Sequence, residues 1–476
     1  MRTEPSTPKT PAVPAAPVAR AGLLLAVLAA AQLLTGLDYN IVFVALPEIA
    51  GLGFSAETLQ WVVSAYAIAF GGFLLLCGRL TDALGRRRMF FAGLGLFALG
   101  SLLGTVAADE WMLIVGRGVQ GLGGATLAPS LLALISVNYA EGAARNRALG
   151  VWGAAGSSGM VLGSVLGGVL TDVLGWRAVF AVNIPIVLAI LAVAVRVVPA
   201  DRHRPAPGRL DIPGAILTTG AAILIVMGFT FAAESGWGSP STLLTLAAGL
   251  AAAVVLLAVE RRTPEPLLDV RRFANRHLAT GTASTFLFMA GFGATAFFLT
   301  LYFQQTRGLS PLVTGLAFTV PCAGVLVGTT IGGRLATRTG LRAAMVTGQV
   351  VGLVGVGAFA ALVGEATGWG LVLGLAAVFS LGQGIVFTTM FATATTGTPE
   401  AEQGTASGIA TAGQQLGSAI GLAVLVNLTA LFGRASSLTT AMTGIGAIIF
   451  LGALVALTVP GQATRSAGRK QECTAS

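Results

Sequence analysis

The chain has 476 residues, 55% of them hydrophobic and only 10% charged, against roughly 25% charged in an ordinary soluble domain, and a water-soluble fold is excluded. Its net charge of +9 points to no nucleic-acid partner, because the basic residues fall between apolar runs instead of gathering in one patch. Cys77, Cys322 and Cys473 lack the paired spacing of a zinc site or disulfide framework, whereas 65 glycines suit a membrane bundle, in which small residues let helices approach closely.

Residues 1–20, rich in Pro and Ala with Arg2, Lys9 and Arg20, read as a disordered cytoplasmic tail. Apolar runs of the length that crosses a ~30 Å hydrocarbon core follow at 21–47, 59–80, 89–108, 112–134, 147–171 and 176–198. Arg20 followed by Leu23 to Leu34 resembles a secretory signal, but apolar character resumes past Asp38 as far as Pro47, which favours an uncleaved span. A hydrophilic linker at 199–212 separates this group from two runs at 213–233 and 240–260. A second linker at 261–279 precedes runs at 280–303, 313–335, 341–364, 370–393, 405–431 and 438–459, and 460–476 forms a cytoplasmic C-terminal tail. The expected architecture is an all-α polytopic membrane protein of about fourteen transmembrane helices. Six-helix halves at 21–198 and 280–459 flank two additional central helices within 213–260.

With both termini in the cytoplasm, all but four of the 28 basic residues fall on the inner side, as the positive-inside rule requires. The exceptions are Arg117, inside a span, and Arg177, Arg307 and Arg434, outside. The inner segment 396–404 departs from the rule, carrying Glu400 and Glu402 and no basic residue. A multi-pass protein of a bacterial plasma membrane is expected.

Gly78-Arg79-Leu80, with Gly85 and Arg87, recurs at an offset of 255 as Gly333-Arg334-Leu335, with Gly340 and Arg342. Ala148, Gly150, Gly159 and Gly163 recur at an offset of 258 as Ala406, Gly408, Gly417 and Gly421. Two related halves are the pattern of alternating-access carriers.

Ionisable groups inside hydrocarbon cost at least ~2.5 to 3.5 kcal/mol each, and only Asp38 and Arg117 sit deep in the runs. At ~1.5 Å per residue they lie roughly 14 Å and 8 Å from the outer ends, close enough in depth to pair. Gln32, Thr35 and Asp38, spaced by three, predict a polar face of span 1 lining the cavity. Burial favours a neutral carboxyl and a neighbouring arginine favours a charged one, so a carboxylate held between the two is poised to take up and release protons. Asp38, Arg117 and Gln120 are therefore the expected proton-coupling and substrate residues; the alternative is a static pair that fixes helix register. Gln120 and Gly121 follow Arg117 as a hydrogen-bonding partner and a helix contact.

The short basic segment 78–89 resembles the loop between spans 2 and 3 of the major facilitator superfamily at Gly78, Leu80, Asp82, Gly85, Arg86 and Arg87. The resemblance implies a cytoplasmic gate in which Asp82 holds the N-terminus of a helix from the other half, here span 13 near Gly404. A carboxylate at a positive helix end is electrostatically favourable. Thr337 stands at the repeat of Asp82, so a single latch is expected.

Further segments are similar to the fourteen-spanning drug:proton antiporters of the EmrB/QacA type. Leu37-Asp38 with Val44 to Pro47 looks like the span 1 signature, and Leu113, Arg117, Gln120, Gly121 and Gly123 like that of span 4. Gly159, Gly163, Gly167 and Gly168 match the antiporter motif of span 5, where glycines permit close packing. Trp176-Arg177, Phe180, Asn183 and Pro185 follow the pattern entering span 6. The resemblance implies export of small lipophilic compounds in exchange for protons by alternating access, with no cofactor, by a monomer in the lipid bilayer. It also implies a part in proton transfer for the span 4 arginine.

Three departures qualify that likeness. Ser164 stands where the motif has proline, which puts the implied kink of span 5 in doubt. Asn40 and Phe43 replace the usual Thr and Asn of span 1. No second buried acid occurs in spans 9 to 14, which weakens any expectation of dicationic substrates or two coupled protons.

The chain lacks the phosphate-binding motif GxxxxGK(S/T), and its only lysines are Lys9 and Lys470, so an ion gradient is the expected energy source. One proton moving through ~100 mV with one pH unit supplies roughly 3.7 kcal/mol, enough for a concentration ratio of a few hundred-fold. An uptake carrier for a small metabolite is the alternative function. A membrane enzyme or a channel is less favoured, since no His, Cys or carboxylate cluster gathers at one face; His203 and His277 read as solvated loop residues. Trp61, Trp111, Trp176 and Trp237 fall near outer span ends, as in an aromatic belt. Phe297, Phe298, Tyr302 and Phe303 read as substrate contacts or as packing residues.

Overall fold

The computed structural model describes residues 18–460 apart from 56–57, 141, 202–210, 264–265, 267–269, 365–366, 399–402 and 433–436. Both expected tails and the first linker lie largely outside the described residues, as do 264–265 and 267–269 of the second linker, and Glu400, Glu402 and Arg434 lie outside them. Among the described residues there is no strand, and 14 helices are long and apolar enough to cross a membrane. They are α1 (Ala21–Leu52), α2 (Trp61–Leu84), α3 (Arg86–Thr105), α4 (Glu110–Asn138), α5 (Ala143–Leu174), α6 (Ala178–Val197) and α7 (Ile212–Ser235). The remainder are α8 (Pro240–Arg262), α9 (Arg276–Thr306), α10 (Pro311–Thr339), α11 (Leu341–Leu362), α12 (Trp369–Thr395), α13 (Gln403–Leu431) and α14 (Leu438–Leu457).

Local chemistry sets the helix ends. Asp109, Asp211, Ser239 and Ser310 cap α4, α7, α8 and α10 by accepting hydrogen bonds from backbone N–H groups of the first turn. Gly85 and Gly340, equivalent in the repeat, turn the chain between α2 and α3 and between α10 and α11 with φ of 103° and 87°, a conformation that side chains with a Cβ resist.

Helices α1–α6 pack among themselves, and α9–α14 do the same in an equivalent pattern. In the first group α1 lies along α5, where a Cβ on Gly159 or Gly163 would stand 2.3 Å from the Leu33 or Leu37 carbonyl oxygen. In the second, α9 lies along α13, where Gly417 and Gly421 approach the backbone of Phe286 and Ala290 as closely. Helix α7 bridges the groups, with Gln60, just before α2, donating to Thr230 and Asn427 of α13 donating to the Phe229 carbonyl. Helix α8 packs on the outside of α7.

Helix α5 runs unbroken through Ser164. The Ser164 hydroxyl returns to the Met160 carbonyl at 3.2 Å, and Asn40 of α1 donates to that carbonyl and to Ser164 at 2.9 and 3.3 Å. The two departures from the family pattern therefore meet, and without proline the helix keeps its backbone ladder.

One apolar cluster draws on both groups: Leu46, Ile49, Val62 and Phe180 pack with Phe297, Phe303, Phe359 and Val372. Gln304 ties the groups there by donating to the Val44 carbonyl at 2.8 Å. This closes the molecule at one end. At the opposite, arginine-rich end the groups part around a cavity of about 1250 Å³.

Candidate functional site

Asp38 and Arg117 meet. The carboxylate is fully buried and accepts three hydrogen bonds: from Arg117 at 2.8 Å, Gln120 at 3.0 Å and Asn183 at 2.8 Å. Arg117 also donates to the Val62 carbonyl and to Gln120 Oε1, and its guanidinium lies 4.6 Å from the centre of the Tyr66 ring. Helices α1, α2, α4 and α6 thus converge on one ion pair in the middle of the first group. Gly100 makes this possible, since a Cβ there would stand 2.6 Å from Gln120.

A buried pair is intact only while both charges are present, and removing one partner costs ~3 to 5 kcal/mol. Arg117→Leu is therefore expected to lower the melting temperature of the detergent-purified protein sharply, with partial recovery on adding Asp38→Asn. A single variant that melts like the unmodified protein would contradict this geometry.

The pair does not line the cavity. Gln32, Thr35, Gly36, Tyr39, Asn40 and Phe43 of α1 do, while Asp38 points into the first group. Steps of three residues each fall about 60° short of a full turn, so Asp38 stands about 120° around the helix from Gln32. Tyr66 belongs to both places, lining the cavity and covering Arg117.

The gate motif sits at the arginine-rich mouth. Arg79, Asp82, Arg272 and Gly404 line the opening, as does Gly78. Asp82 is exposed and has no hydrogen-bond or ion-pair partner among the described residues. Arg87 caps the end of α6, donating to the Val198 carbonyl at 2.6 Å and the Val195 carbonyl at 3.1 Å, while its backbone N–H meets Asp201. Gly85 leaves room for Asp201, whose carboxylate a Cβ would strike. Arg86 is half-buried beside it. Of the antiporter-motif glycines, Gly159, Gly163 and Gly167 face α1, and Gly168 faces Pro311 and Leu312 of α10.

The close glycine contacts align the two groups residue by residue. Gly100 against Gln120 corresponds to Gly355 against Phe379, and Gly123 against Phe97 to Gly382 against Gly352. Leu33 and Leu37 correspond to Phe286 and Ala290. The counterparts of Asp38, Arg117 and Gln120 are thus Gly291, Ala376 and Phe379. The second group keeps no ionisable residue at these positions.

Sequence reasoning missed two features. Asn183, noted only as part of the pattern entering span 6, joins the Asp38 network. Phe288, Phe292, Phe379, Phe387 and Phe391 line the cavity, signalled by helical spacing in α9 and α12. Phe297, Phe298, Tyr302 and Phe303 are packed in the closed end and do not reach it.

The profile of the Major Facilitator Superfamily matches residues 28–422 and 281–473. The cephamycin export protein of Amycolatopsis lactamdurans is 38% identical over 410 residues, covering 85% of this chain and 84% of that protein. The puromycin resistance protein of Streptomyces alboniger is 39% identical over 405 residues, covering 84% and 80%. A crystal structure of the peptide transporter POT in complex with sulfate superposes with a TM-score of 0.69 at 16% identity, covering 91% of this chain and 93% of that one; the likeness is one of fold.

Proposed function

The chain belongs to the Major Facilitator Superfamily, and on that premise we propose that it exports small lipophilic compounds, drugs or secondary metabolites, in exchange for protons. It is a transporter and not an enzyme. The cephamycin and puromycin relatives support the direction and the kind of cargo. The observation that carries the proton part is the Asp38 and Arg117 pair, sealed from water directly behind a cavity-lining tyrosine.

In the proposed cycle the arginine-rich face is cytoplasmic, and the cavity is seen open to that side. Ionised Asp38 holds Arg117 beneath Tyr66. A proton arriving from the outer side neutralises the carboxylate and removes the attraction that positions Arg117. Because the guanidinium stacks on Tyr66, its release reshapes the cavity wall and links proton occupancy to cargo binding. The cycle uses no cofactor, and the proton gradient supplies the energy.

A resistance screen in a sensitised host, across antibiotics, dyes and detergents, identifies the cargo. Membrane vesicles with an imposed pH gradient of either sign then test the direction. Export by antiport predicts that an uncharged cargo accumulates on the acidic side; accumulation on the alkaline side indicates the uptake reading.

Asp82 serves in this cycle as the latch of the closed mouth, meeting the N-terminal end of α13 when the opening it shares with Gly404 narrows. A carboxylate at a helix N-terminus contributes ~0.3 to 1 kcal/mol, and up to ~2 kcal/mol when partly buried. Asp82→Asn is therefore expected to slow turnover by about threefold to tenfold with unchanged cargo affinity, measured as initial rates and equilibrium binding. Weakened binding with intact turnover would count against the latch.

A further inference from the structure

The cavity walls differ in chemistry. On the side of the second group, five phenylalanines form a continuous ladder. The Phe379 ring centre lies 5.9 Å from that of Phe292, Phe292 stacks on Phe288 at 5.2 Å and 25°, Phe288 meets Phe387 at 5.8 Å, and Phe387 meets Phe391 at 5.6 Å. All five rings line the cavity. Phe288 and Phe292 lie one turn apart on α9, and Phe387 and Phe391 one turn apart on α12, so each helix presents a strip of rings.

Amide side chains reach the same cavity. Gln32 of α1 and Gln414 and Gln415 of α13 line the cavity, and their side chains have no hydrogen-bond partner among the described residues. The charged side chains on the wall, Arg79, Asp82 and Arg272, are confined to the mouth. Asp38 and Arg117 satisfy each other behind Tyr66. A cargo with a full charge would give up its water in the interior of the cavity without meeting a counter-charge, a costly exchange. A flat apolar ring system gains by the same move.

One ring of the ladder replaces a member of the polar network. Phe379 occupies the position at which the first group has Gln120, beside Gly291 and Ala376 where that group has Asp38 and Arg117. At this position the first group buries its polar network behind the cavity wall, and the second presents a ring to the cavity.

We propose that the cargo is an uncharged molecule with a flat aromatic ring system, laid against the phenylalanine ladder of α9 and α12, with its polar substituents turned to Gln32, Gln414 and Gln415. This inference rests on the export reading in taking the cavity as the cargo site, and it adds the class of compound. Rings at 4.5–7 Å favour offset or edge contact with an aromatic ligand.

The test is equilibrium binding to the full-length protein in lipid nanodiscs. The probes are 1,4-diaminoanthraquinone, flat and uncharged, and ethidium, flat and cationic. The protein is expected to bind the anthraquinone at least tenfold more tightly than ethidium. The double variant Phe288→Leu/Phe292→Leu keeps apolar bulk but loses two rings, and is expected to weaken anthraquinone binding by about tenfold. Phe297→Leu, whose ring is packed in the closed end, is expected to bind as the unmodified protein does. Equal or tighter ethidium binding, no detectable anthraquinone binding, or a double variant that binds undiminished would overturn the proposal. Antiport of some other compound in the vesicle assay would then leave the export reading standing. Anthraquinone binding without proton-linked movement of any compound would sink the export reading and leave the ligand class intact.

Discussion

Asp38→Asn is expected to abolish uphill export while leaving a less stable protein that still folds and exchanges cargo down its gradient. Three donors converge on the carboxylate, from Arg117, Gln120 and Asn183, so the amide must turn its nitrogen toward one of them. Arg117 keeps the Val62 carbonyl, Gln120 Oε1 and the face of Tyr66, which preserves the packing around it. The one carboxyl of this network is gone. A steady-state ratio of a few hundred-fold, the limit for one proton, is expected to fall to about one, with counterflow retained. Undiminished accumulation by the variant, measured in energised vesicles, would remove Asp38 from the coupling mechanism.

The second large effect is expected at Gly163. A Cβ there would stand 2.3 Å from the Leu37 carbonyl oxygen and 3.1 Å from its Cα, and backbone, unlike the tip of a flexible side chain, has nowhere to retreat. Gly163→Ala must therefore push α1 off α5. Overpacking of this kind costs ~1 to 3 kcal/mol, and Leu37 directly precedes Asp38, so the displacement also pulls the carboxylate from Arg117. The expected outcome is a lower melting temperature together with loss of transport. Gly95 supplies the control: it is exposed on α3, and a Cβ there would meet nothing within 4 Å, so Gly95→Ala is expected to be silent in both assays. Equal behaviour of the two variants would show that the α1 and α5 contact is not tight.

Much of this architecture is legible in the sequence because a bilayer imposes coarse, repetitive constraints. Apolar runs of spanning length and the one-sided placement of arginines suffice to count fourteen helices. Depth arithmetic brings Asp38 and Arg117 to one level, where they meet at 2.8 Å. The face of α1 is harder to read, because residues spaced by three precess around the helix, and Asp38 leaves the cavity wall that Gln32 occupies. The contact between Asn40 and Ser164 depends on the register of α1 against α5. That register is set by how deeply Gly159 and Gly163 admit the Leu33 and Leu37 backbone, a distance no motif encodes.

The aromatic residues divide for a similar reason. Phe297 and Phe303 resemble Phe288 and Phe292 in local sequence, yet the first pair is consumed in closing one end of the bundle and the second faces the cavity. Which end is shut is a property of the conformational state. The same holds for Asp82, whose carboxylate is exposed at the open mouth that Gly404 also lines.

Coupling of this kind requires a change of proton occupancy at one buried carboxyl during each cycle. Infrared difference spectroscopy of the reconstituted protein, recorded as the cargo identified by the resistance screen is added, observes that change through the carbonyl stretch of a protonated carboxylic acid. The expected result is a band that shifts or vanishes on cargo binding and is missing from the Asp38→Asn protein. A difference spectrum identical in the two proteins, at a pH where the unmodified one transports, would contradict the mechanism.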